Sequence, residues 1–297
     1  MLTATKTANE KRKAFRAGLK SGKLQRFPGV FAPLVAMLAE ELGFEGCYIS
    51  GAVMSTFLGV PDIGLTTLTE VSEIGSGIAR ATNLPSFIDA DTGFGEPMSA
   101  ARTIRIFEDL GLSGCHLEDQ VNPKRCGHLD NKAVVSRDDM VKRIRAAVAA
   151  RRDSDFVICA RTDARGVEGL DAAIDRAKAY IDAGADLIFP EAMADLKEFE
   201  TFRKAISVPM LANMTEFGKS ELFSAQQLES AGVNLVIYPV TSWRLAMGAI
   251  EDGFKAILKD GHQNNVIDRM QTRKRLYELV RYEDYNDFDT SIFNFKV

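Results

Sequence analysis

Residues 86–119 read SFIDADTGFGEPMSAARTIRIFEDLGLSGCHLED and contain one complete strand–helix–strand unit. The two apolar runs, Ser86–Asp91 and Gly114–Glu118, have the length and composition of buried strands, and each finishes in acidic side chains. The segment between them has the apolar spacing of an amphipathic helix that ends at Gly111. Two parallel strands joined by a helix explain this order.

The same unit repeats from about residue 27 to residue 260. The eight predicted strands are Phe27–Phe31, Gly46–Ser50, Ser86–Asp91, Gly114–Glu118, Phe156–Arg161, Leu187–Pro190, Met210–Asn213 and Leu235–Tyr238. Helical patterns separate them and no Pro-rich or Ser-rich linker interrupts the series, so we predict an α/β fold, a (β/α)8 barrel of the TIM type. A doubly wound open sheet is the alternative, and the absence of a GxGxxG motif after any strand weakens its dinucleotide-binding form.

We predict a single domain with two short extensions. Residues 27–260 form the barrel, residues 1–26 a basic N-terminal helical arm, and residues 261–297 a C-terminal helical extension. In the extension, residues 266–288 have the pattern of an amphipathic helix, whose apolar stripe needs a partner on the barrel or on a neighbouring subunit. The residues of this stripe are Met270, Leu276, Leu279 and Val280.

Charge is distributed unevenly along the chain. The net charge is −4, but residues 1–26 carry eight basic side chains against Glu10 alone. We expect this basic arm to dock on the acidic barrel or on a neighbour; a mitochondrial transit peptide is a weaker alternative. The composition indicates no nucleic-acid or membrane partner, and no apolar run is long enough to cross a bilayer. Without a secretory signal, reduced cysteines and a cytoplasmic location are expected.

Polar side chains stand at the ends of six successive strands, where a barrel enzyme places its chemistry. They are Ser50, Asp89, Asp91, His116, Glu118, Arg161, Asp163, Glu191, Asn213 and Thr215.

An acidic cluster among these residues predicts a metal site. Asp89 and Asp91 are two residues apart on a strand, so both should face the same way, and Glu118 comes from the next strand. Oxygen ligands suit Mg²⁺ or Mn²⁺ rather than zinc. Asp91 could instead cap the following helix. Asp62 could support the metal site or belong to a turn after Pro61.

The cysteines fall into two groups. Cys47, Cys115 and Cys159 lie in or beside apolar strands and are expected to be buried and inert. Cys126 lies in the sequence KRCGH, residues 124–128, inside a long polar segment that resembles a lid. The two cations before it and His128 after it would lower the pKa of its thiol, and Gly127 permits close approach to a ligand. A solvated loop with an incidental thiol is the alternative.

Arginines complete the predicted pocket. Arg161, Arg244 and Arg273, with a metal and a thiol acid, suggest a small substrate with several carboxylates. Solvent-exposed roles for Arg244 and Arg273 are the alternative, and a phosphate ligand is disfavoured by the lack of a Gly-rich loop after the last strands.

The motifs FIDADTGFG, HLEDQ, PKRCGHLDNK, ARTDA, FPEA and LANMTEFG resemble the isocitrate lyase/phosphoenolpyruvate mutase superfamily, and most closely its 2-methylisocitrate lyases. The resemblance spans about residues 26–282, and its most specific part is KRCGH, which marks the lyases that use a cysteine. It implies a Mg²⁺-dependent carbon–carbon lyase that cleaves the tricarboxylate 2-methylisocitrate to pyruvate and succinate, in the methylcitrate cycle of propionate catabolism. It also implies a homotetramer that exchanges C-terminal helices.

The resemblance further implies roles for individual residues, and the sequence departs from the pattern at two places. Ala52 stands where many relatives have glycine, and Leu129 and Asp130 stand where some relatives have a more basic pair. The implied metal ligands are Asp89 and Asp91, and the implied catalytic residues are Cys126, Arg161, Glu118 and His128. The implied substrate-binding residues are Ser50, Gly51, Ala52, Cys126, Gly127, Arg161, Glu191, Asn213, Met214, Thr215, Arg244 and Arg273.

In the implied retro-aldol mechanism, Cys126 is the general acid, and the initial base is either Glu118 or a metal-activated water. A decarboxylase, hydrolase or mutase that acts on a 2-keto acid is the alternative within the superfamily. A ligand-binding barrel without catalysis is the alternative outside it.

Overall fold

The computed structural model describes residues 4–125, 127, 132–218 and 220–293, and in this part of the chain eight strands alternate with helices. The strands are β1 Gln25–Pro28, β2 Cys47–Ile49, β3 Ser86–Asp89, β4 Gly114–Glu118, β5 Val157–Thr162, β6 Leu187–Pro190, β7 Leu211–Asn213 and β8 Leu235–Tyr238. The helices are α1 Ala8–Lys20, α2 Pro33–Glu41, α3 Gly51–Phe57, α4 Leu68–Ala79, α5 Pro97–Asp109, α6 Arg137–Ala150, α7 Leu170–Asp182, α8 Leu196–Ala205, α9 Ala225–Ser230, α10 Thr241–Asp260, α11 Arg273–Leu279 and α12 Tyr282–Phe293. Each predicted strand is found within three residues of its expected bounds.

All strand pairs are parallel, and the strands follow one another in chain order around the structure. Regular ladders join β2 to β6 in sequence and place β8 between β1 and β7. The two seams are held by single parallel bridges, Gly29 to Tyr48 and Ile188 to Met210. The predicted TIM-type α/β fold is therefore confirmed, with two ladders and two bridged seams in place of one continuous ladder.

The core has two layers. A larger cluster lies between the strands and the surrounding helices, and a smaller one fills the barrel interior. The inner cluster contains Phe27, Phe87 and Leu187 and also two residues of the N-terminal arm, Phe15 and Leu19. The Phe15 ring lies 5.0 Å from that of Phe27 and 5.7 Å from that of Phe87. Helix α1 therefore closes the end of the barrel at which the strands begin.

Basic side chains of α1 bind the carbonyls at this end of the barrel. Lys11 donates to the carbonyls of Ala79 and Thr82, at the carboxyl end of α4. Arg12 donates to the carbonyls of Leu112 and Glu108 at the carboxyl end of α5. Helix carboxyl ends carry partial negative charge and unsatisfied carbonyls, which explains why a basic helix is accepted there. The expectation that the arm docks on the chain's own barrel is confirmed.

The C-terminal extension differs from the single helix that the sequence predicts. A short 3-10 helix, Asn264–Arg269, precedes α11 and α12. Thr272 caps α11 by accepting from the backbone N–H of Arg275, and Arg281, with φ of 54°, ends it. A cap in the middle of the predicted helix and a left-handed residue near its end interrupt it. Of the predicted apolar stripe, only Leu279 is buried.

No helix within the described ranges is both long and apolar enough to cross a membrane.

Candidate active site

A cavity opens where the strands end, at the opposite end of the barrel from α1. Nine of the residues expected in the site line it: Ser50, Ala52, Asp89, Gly127, Arg161, Glu191, Asn213, Thr215 and Arg244. The sequence analysis did not assign Tyr48, Phe189, Pro239 and Val240, which also line it, and Asp62 and Lys124 complete the wall. The lining residues come from β2, β3, β5, β6 and β7 and from the segments that follow β2, β4, β6, β7 and β8, which is the arrangement that a parallel barrel imposes.

Asp89 and Asp91 converge through a turn rather than through strand alternation. Strand β3 ends at Asp89, and Asp91 follows it with φ of 46°, in the left-handed region that Asp tolerates better than most residues. Asp89 Oδ1 accepts from the Asp91 backbone N–H at 2.9 Å, and Oδ2 accepts from that of Gly51 at 3.1 Å. The alternative role of Asp91 as a helix cap is wrong, since Glu96 is the residue that precedes α5.

Gly51 allows these carboxylates to approach the start of α3. A Cβ atom at this position would lie 2.6 Å from Asp89 Oδ2 and 3.4 Å from Asp91 Oδ1. The first of these separations is shorter than real Cβ contacts allow, so a side chain here would displace the acidic pair.

A lysine of the KRCGH segment lies on the acidic side of the cavity. The Lys124 ammonium contacts Asp91 Oδ1 at 2.8 Å and also pairs with Asp62. Burial by itself would lower the pKa of Lys124, but the carboxylates around it raise the pKa well above its usual value. Asp62 therefore belongs to the site rather than to a solvated turn. Cys126 and His128, the two residues of this segment with predicted proton chemistry, lie outside the described residues.

Glu118 lies beneath the cavity and is fully buried. Its nearest cation is Arg161, with Nη1 at 3.1 Å from Oε2, yet neither carboxylate oxygen has a hydrogen bond of good geometry. Burial raises the pKa of Glu118 well above its usual range, more than the charge of Arg161 lowers it. Burial likewise raises the pKa of Asp91 to about 6.

The acidic residues fit a magnesium ion that keeps part of its water shell. In the described part of the chain, no group of three His, Cys, Asp or Glu side chains is arranged to enclose a metal. Both oxygens of Glu118 are buried without a hydrogen bond of good geometry, so oxygen ligands remain available there. Asp91 Oδ1 is paired with Lys124, and a bound cation would compete with that lysine. Magnesium is commonly bound through one or two carboxylates, with water and substrate as the other ligands. Asp89 and Asp91 fit that role.

Arg161 forms the cationic centre of the site. It makes two hydrogen bonds to Asp163, Nε to Oδ2 at 2.9 Å and Nη2 to Oδ1 at 3.2 Å. It also pairs with Glu191 at 3.2 Å and lies over the Phe189 ring, 5.2 Å from its centroid. Burial alone would lower the pKa of Arg161, but the three carboxylates beside it raise it well above the usual value, so it stays charged.

Arg244 forms the second cationic group, at the cavity mouth in the first turn of α10. Its Nη1 donates to the Glu216 carbonyl at 2.6 Å and to Glu216 Oε2 at 3.0 Å. The guanidinium lies 5.2 Å from the centroid of the Phe217 ring, and the arginine side chain is 42% exposed. Arg244 is thus held at the entrance while still open to solvent and to a ligand.

Five described residues named by the resemblance do not line the cavity. Gly51, Asp91 and Glu118 contact residues that do, and the other two are Met214 and Arg273. Met214 is buried in the outer core, and its sulfur accepts from the Phe223 backbone N–H at 3.3 Å. Arg273 is exposed on α11 and is absent from the lining. Met214 stands between Asn213 and Thr215, which both line the cavity, so its side chain faces the other way.

Sequence reasoning missed two polar residues that shape the site. Tyr48 shares a hydrogen bond with His116, its hydroxyl 2.8 Å from Nε2, and lines the cavity. Asp163 was noted only as a polar strand end, although it holds Arg161. The alternation of β2 carries a signal for Tyr48, which lies two residues before Ser50 and therefore faces the same way.

The three cysteines expected to be inert are confirmed as buried. Cys47, Cys115 and Cys159 each have no exposed surface, and all three are unpaired. Burial raises the pKa of the Cys47 thiol to about 12 and raises the pKa values of the other two further.

Known proteins of similar sequence align with nearly the whole length of this chain. The sequence profile of the phosphoenolpyruvate phosphomutase family matches residues 15–258. A probable 2-methylisocitrate lyase of Corynebacterium glutamicum is 61% identical over 286 residues, which cover 96% of this chain and 93% of the relative. The 2-methylisocitrate lyase of Escherichia coli is 46% identical over 277 residues, 93% of this chain and 94% of the relative.

Solved structures of similar shape come from the same superfamily. An oxaloacetate acetylhydrolase bound to 3,3-difluorooxalacetate superposes with a TM-score of 0.91 at 33% identity, covering 98% of this chain and all of the other. A 2,3-dimethylmalate lyase, described as a PEP mutase/isocitrate lyase superfamily member, gives 0.90 at 31% identity and 99% coverage of both chains. A phosphonopyruvate hydrolase bound to oxalate and Mg²⁺ gives 0.85 at 31%, covering 96% and 99%. The chain therefore belongs to the phosphoenolpyruvate phosphomutase family, on its carbon–carbon lyase branch with the 2-methylisocitrate lyases, as the sequence predicts.

Proposed function

We propose that this chain cleaves 2-methylisocitrate to pyruvate and succinate in a Mg²⁺-dependent retro-aldol reaction. The observation that carries the proposal is that one cavity brings acidic and cationic side chains together. Asp89 lines it and accepts from the backbone N–H of Asp91, and Arg161 and Arg244 line the same cavity. A substrate with several carboxylates and a hydroxyl group has charge complementary to the arginines and to a cation bound by the acidic pair.

Asp89 and Asp91 would hold the magnesium ion, directly or through water. When bound, the ion would polarise the substrate hydroxyl and its neighbouring carboxylate. The structure of the phosphonopyruvate hydrolase with oxalate and Mg²⁺ supports a divalent cation in proteins of this shape. Mn²⁺, which prefers similar oxygen ligands, should substitute for it.

The arginines and amide groups would bind and orient the substrate. Arg161, held by Asp163 and Glu191, would donate to a carboxylate from a fixed position. Arg244 would bind a second carboxylate at the mouth. Asn213 and Thr215 offer uncharged polar groups in the wall of the same cavity. A substrate held at three places would present one carbon–carbon bond for cleavage.

In the chemical step, a base takes the hydroxyl proton, the carbonyl of pyruvate forms, and the carbon–carbon bond breaks. The electron pair of that bond remains on the succinate fragment, where the arginines stabilise its charge. The Cys126 thiol then gives its proton to this carbanion and becomes a thiolate. Glu118, or a water beside it, takes the first proton.

The placement of Gly127 supports the role of Cys126. Gly127 lines the cavity, and a Cβ atom on it would lie 2.4 Å from Arg161 Nη2. The residue that precedes Gly127 in the sequence is therefore connected to a backbone position at the substrate site. His128 would share the proton chemistry of this segment.

We propose further that the chain assembles into a homotetramer with exchanged C-terminal helices. Helix α10 has no buried residue, and its apolar side chains Leu245, Phe254 and Leu258 are 70%, 65% and 87% exposed. Beside β1 and β8, an apolar groove of about 620 Å³ includes Val35 and Leu38 of α2. In a barrel the helix after the last strand covers this face. An α10 from a second chain would cover it here.

A cytoplasmic location is proposed as well. The three cysteines in the described part of the chain are unpaired, which is the usual state in a reducing compartment.

The proposed reaction is tested with purified protein and Mg²⁺, with 2-methylisocitrate and isocitrate assayed side by side. We expect equal amounts of pyruvate and succinate from 2-methylisocitrate, no reaction after removal of metal with EDTA, and recovery with added Mg²⁺. A preference for isocitrate would contradict the substrate assignment. Pyruvate without matching succinate would favour a hydrolase or decarboxylase, and binding without turnover a non-catalytic barrel.

The acid is tested by the substitution Cys126→Ser. A serine hydroxyl is far less acidic than a thiol, so cleavage should be lost while the fold and Mg²⁺ binding remain. Circular dichroism and calorimetric titration with Mg²⁺ are the controls. A variant that kept most of its activity would show that another group donates the proton.

A further inference from the structure

The side chain of Lys132 connects the KRCGH segment to the end of β5. Its ammonium donates to the carbonyl oxygen of Gly127 and to Asp163 Oδ1, the latter at 2.7 Å. The Lys132 side chain is only 4% exposed and that of Asp163 is fully buried. A buried lysine requires partners for its charge and its N–H donors, and here one partner is a backbone carbonyl of the segment that carries Cys126.

The other end of this connection is rigid. Asp163 accepts two hydrogen bonds from Arg161, and its backbone N–H donates to Asp119 Oδ1 at 2.9 Å. Asp119 is itself fully buried and accepts from the Tyr180 hydroxyl at 2.9 Å. Lys132 therefore binds Gly127 to a carboxylate that the barrel holds from several directions.

Gly127 also lies against Arg161, which Asp163 positions, and against Glu191. A Cβ atom on Gly127 would meet Arg161 Nη2 at 2.4 Å and Glu191 Cγ at 2.5 Å. Four residues thus form a closed ring of contacts, Gly127 to Lys132 to Asp163 to Arg161 and back to Gly127. Balancing the charge of Asp163 does not require this ring, since Arg161 already makes a bidentate pair with it. The bond from Lys132 to the Gly127 carbonyl is the part that charge balance leaves unexplained.

We propose that Lys132 is a positioning residue that holds the backbone at Gly127 against the substrate site and so sets where the preceding residue, Cys126, meets the substrate. The proposal rests on the proposed function, in which Cys126 is the proton donor. Lys132 itself acts through Gly127 and Asp163 and has no contact with the reacting atoms.

The test compares Lys132→Met with the wild-type chain. Methionine keeps much of the side-chain volume but has neither the charge nor the N–H donors. We expect kcat to fall by about 100-fold, the loss typical of a misplacement of about 1 Å, while KM changes less than threefold because Arg161 keeps its pairing with Asp163. Lys132→Gln, which keeps a donor without the charge, should recover part of kcat. Lys178→Met, an exposed lysine on α7, is the matched control and should have wild-type kinetics.

A second measurement separates positioning from a general loss of structure. The rate at which iodoacetamide alkylates Cys126, followed by mass spectrometry, should change at least fivefold in Lys132→Met, while the melting temperature stays close to that of the wild type. Unchanged kcat and unchanged alkylation would overturn the proposal. A fall in kcat with an equal rise in KM and unchanged alkylation would also overturn it. That result would indicate that Lys132 affects only the position of Arg161.

Failure of the proposed function gives a different result from failure of this inference. A wild-type chain that does not cleave 2-methylisocitrate contradicts the proposed function, and the alkylation rates still decide whether Lys132 positions the segment. A wild-type chain that cleaves it, with Lys132→Met equal to wild type in both readouts, contradicts only the role of Lys132.

Discussion

Replacement of Gly127 by alanine tests how closely the KRCGH segment must approach the barrel. The added Cβ atom would lie 2.4 Å from Arg161 Nη2, 2.5 Å from Glu191 Cγ and 2.7 Å from Glu191 Cδ. Ordinary contacts of this kind are about 3.5–4.0 Å, so the backbone or the ion pair must move by about 1 Å. Arg161 has little freedom to move, because Asp163 and Glu118 also hold it. The segment should therefore shift outward.

A displacement of this size near the reacting groups costs about 100-fold in rate, equivalent to about 2.7 kcal/mol of transition-state stabilisation. The assay is steady-state formation of pyruvate from 2-methylisocitrate with saturating Mg²⁺. We expect the loss mainly in kcat, because Arg244, Asn213 and the two proposed metal ligands keep their positions. Gly77→Ala is the matched control, since a Cβ atom in that helical position meets only Pro33 Cγ at 3.9 Å.

Activity of Gly127→Ala within threefold of the wild type would refute this reasoning. It would mean that, during turnover, the segment does not need to approach Arg161 and Glu191 as closely as it does in the structure. Comparable losses in Gly127→Ala and Gly77→Ala would instead indicate a general effect of added methyl groups.

Three further predictions follow from the fold and the site. Arg12→Met removes three hydrogen bonds, two to the carbonyls of Leu112 and Glu108 and one to Asp153, so it should destabilise the chain by about 3 kcal/mol and lower the melting temperature by about 5 °C at fixed protein concentration. Thiol titration of the native chain should detect about one reactive cysteine and four after denaturation, because burial raises the pKa values of the other three. Arg244→Lys should raise KM for 2-methylisocitrate by about tenfold with a smaller effect on kcat, since a lysine cannot make a bidentate pair with a carboxylate at the mouth.

The barrel could be predicted from the sequence because its strands are short, apolar and bounded by helices of clear period. Gly114–Glu118, Leu187–Pro190 and Leu235–Tyr238 have the predicted bounds, and the polar residues at their ends follow from the topology. A parallel barrel brings the carboxyl ends of all its strands to one mouth. The pattern that predicts the strands therefore also predicts most of the residues that line the cavity.

Residues placed by turns and ion pairs could not be predicted in the same way. Asp91 faces the site because the chain takes a left-handed conformation after β3, whereas strand alternation was the expected reason. Lys124 binds Asp62 and Asp91, although its position before Cys126 suggested a role in thiolate stabilisation. The first outcome depends on a turn that the period of a strand does not encode. The second depends on contacts with residues distant in the sequence, about which local patterns carry no information.

The C-terminal extension shows a second limit. Its apolar period is real, but the helix is interrupted at Thr272 and Arg281, and most of its apolar side chains stay exposed in a single chain. Arg273, assigned to the site from its charge and from the resemblance, begins α11 away from the cavity lining of its own chain. A helical pattern predicts which side chains form the apolar face of a helix. It does not predict whether the same chain or a neighbouring subunit covers that face.

The contacts of Arg161 explain why the site needs a second arginine. A guanidinium has five N–H donors in a fixed plane. Arg161 directs two of them to Asp163, one toward Glu118 and one toward Glu191, which leaves one for a substrate. Arg161 can therefore fix the position of one substrate oxygen, but it cannot bind a carboxylate through both oxygens. Arg244 uses Nη1 for Glu216 and keeps its remaining donors at the mouth. In the proposed reaction, the rigid arginine would set the geometry at the reacting centre, and the more exposed one would supply the bidentate recognition of a second carboxylate.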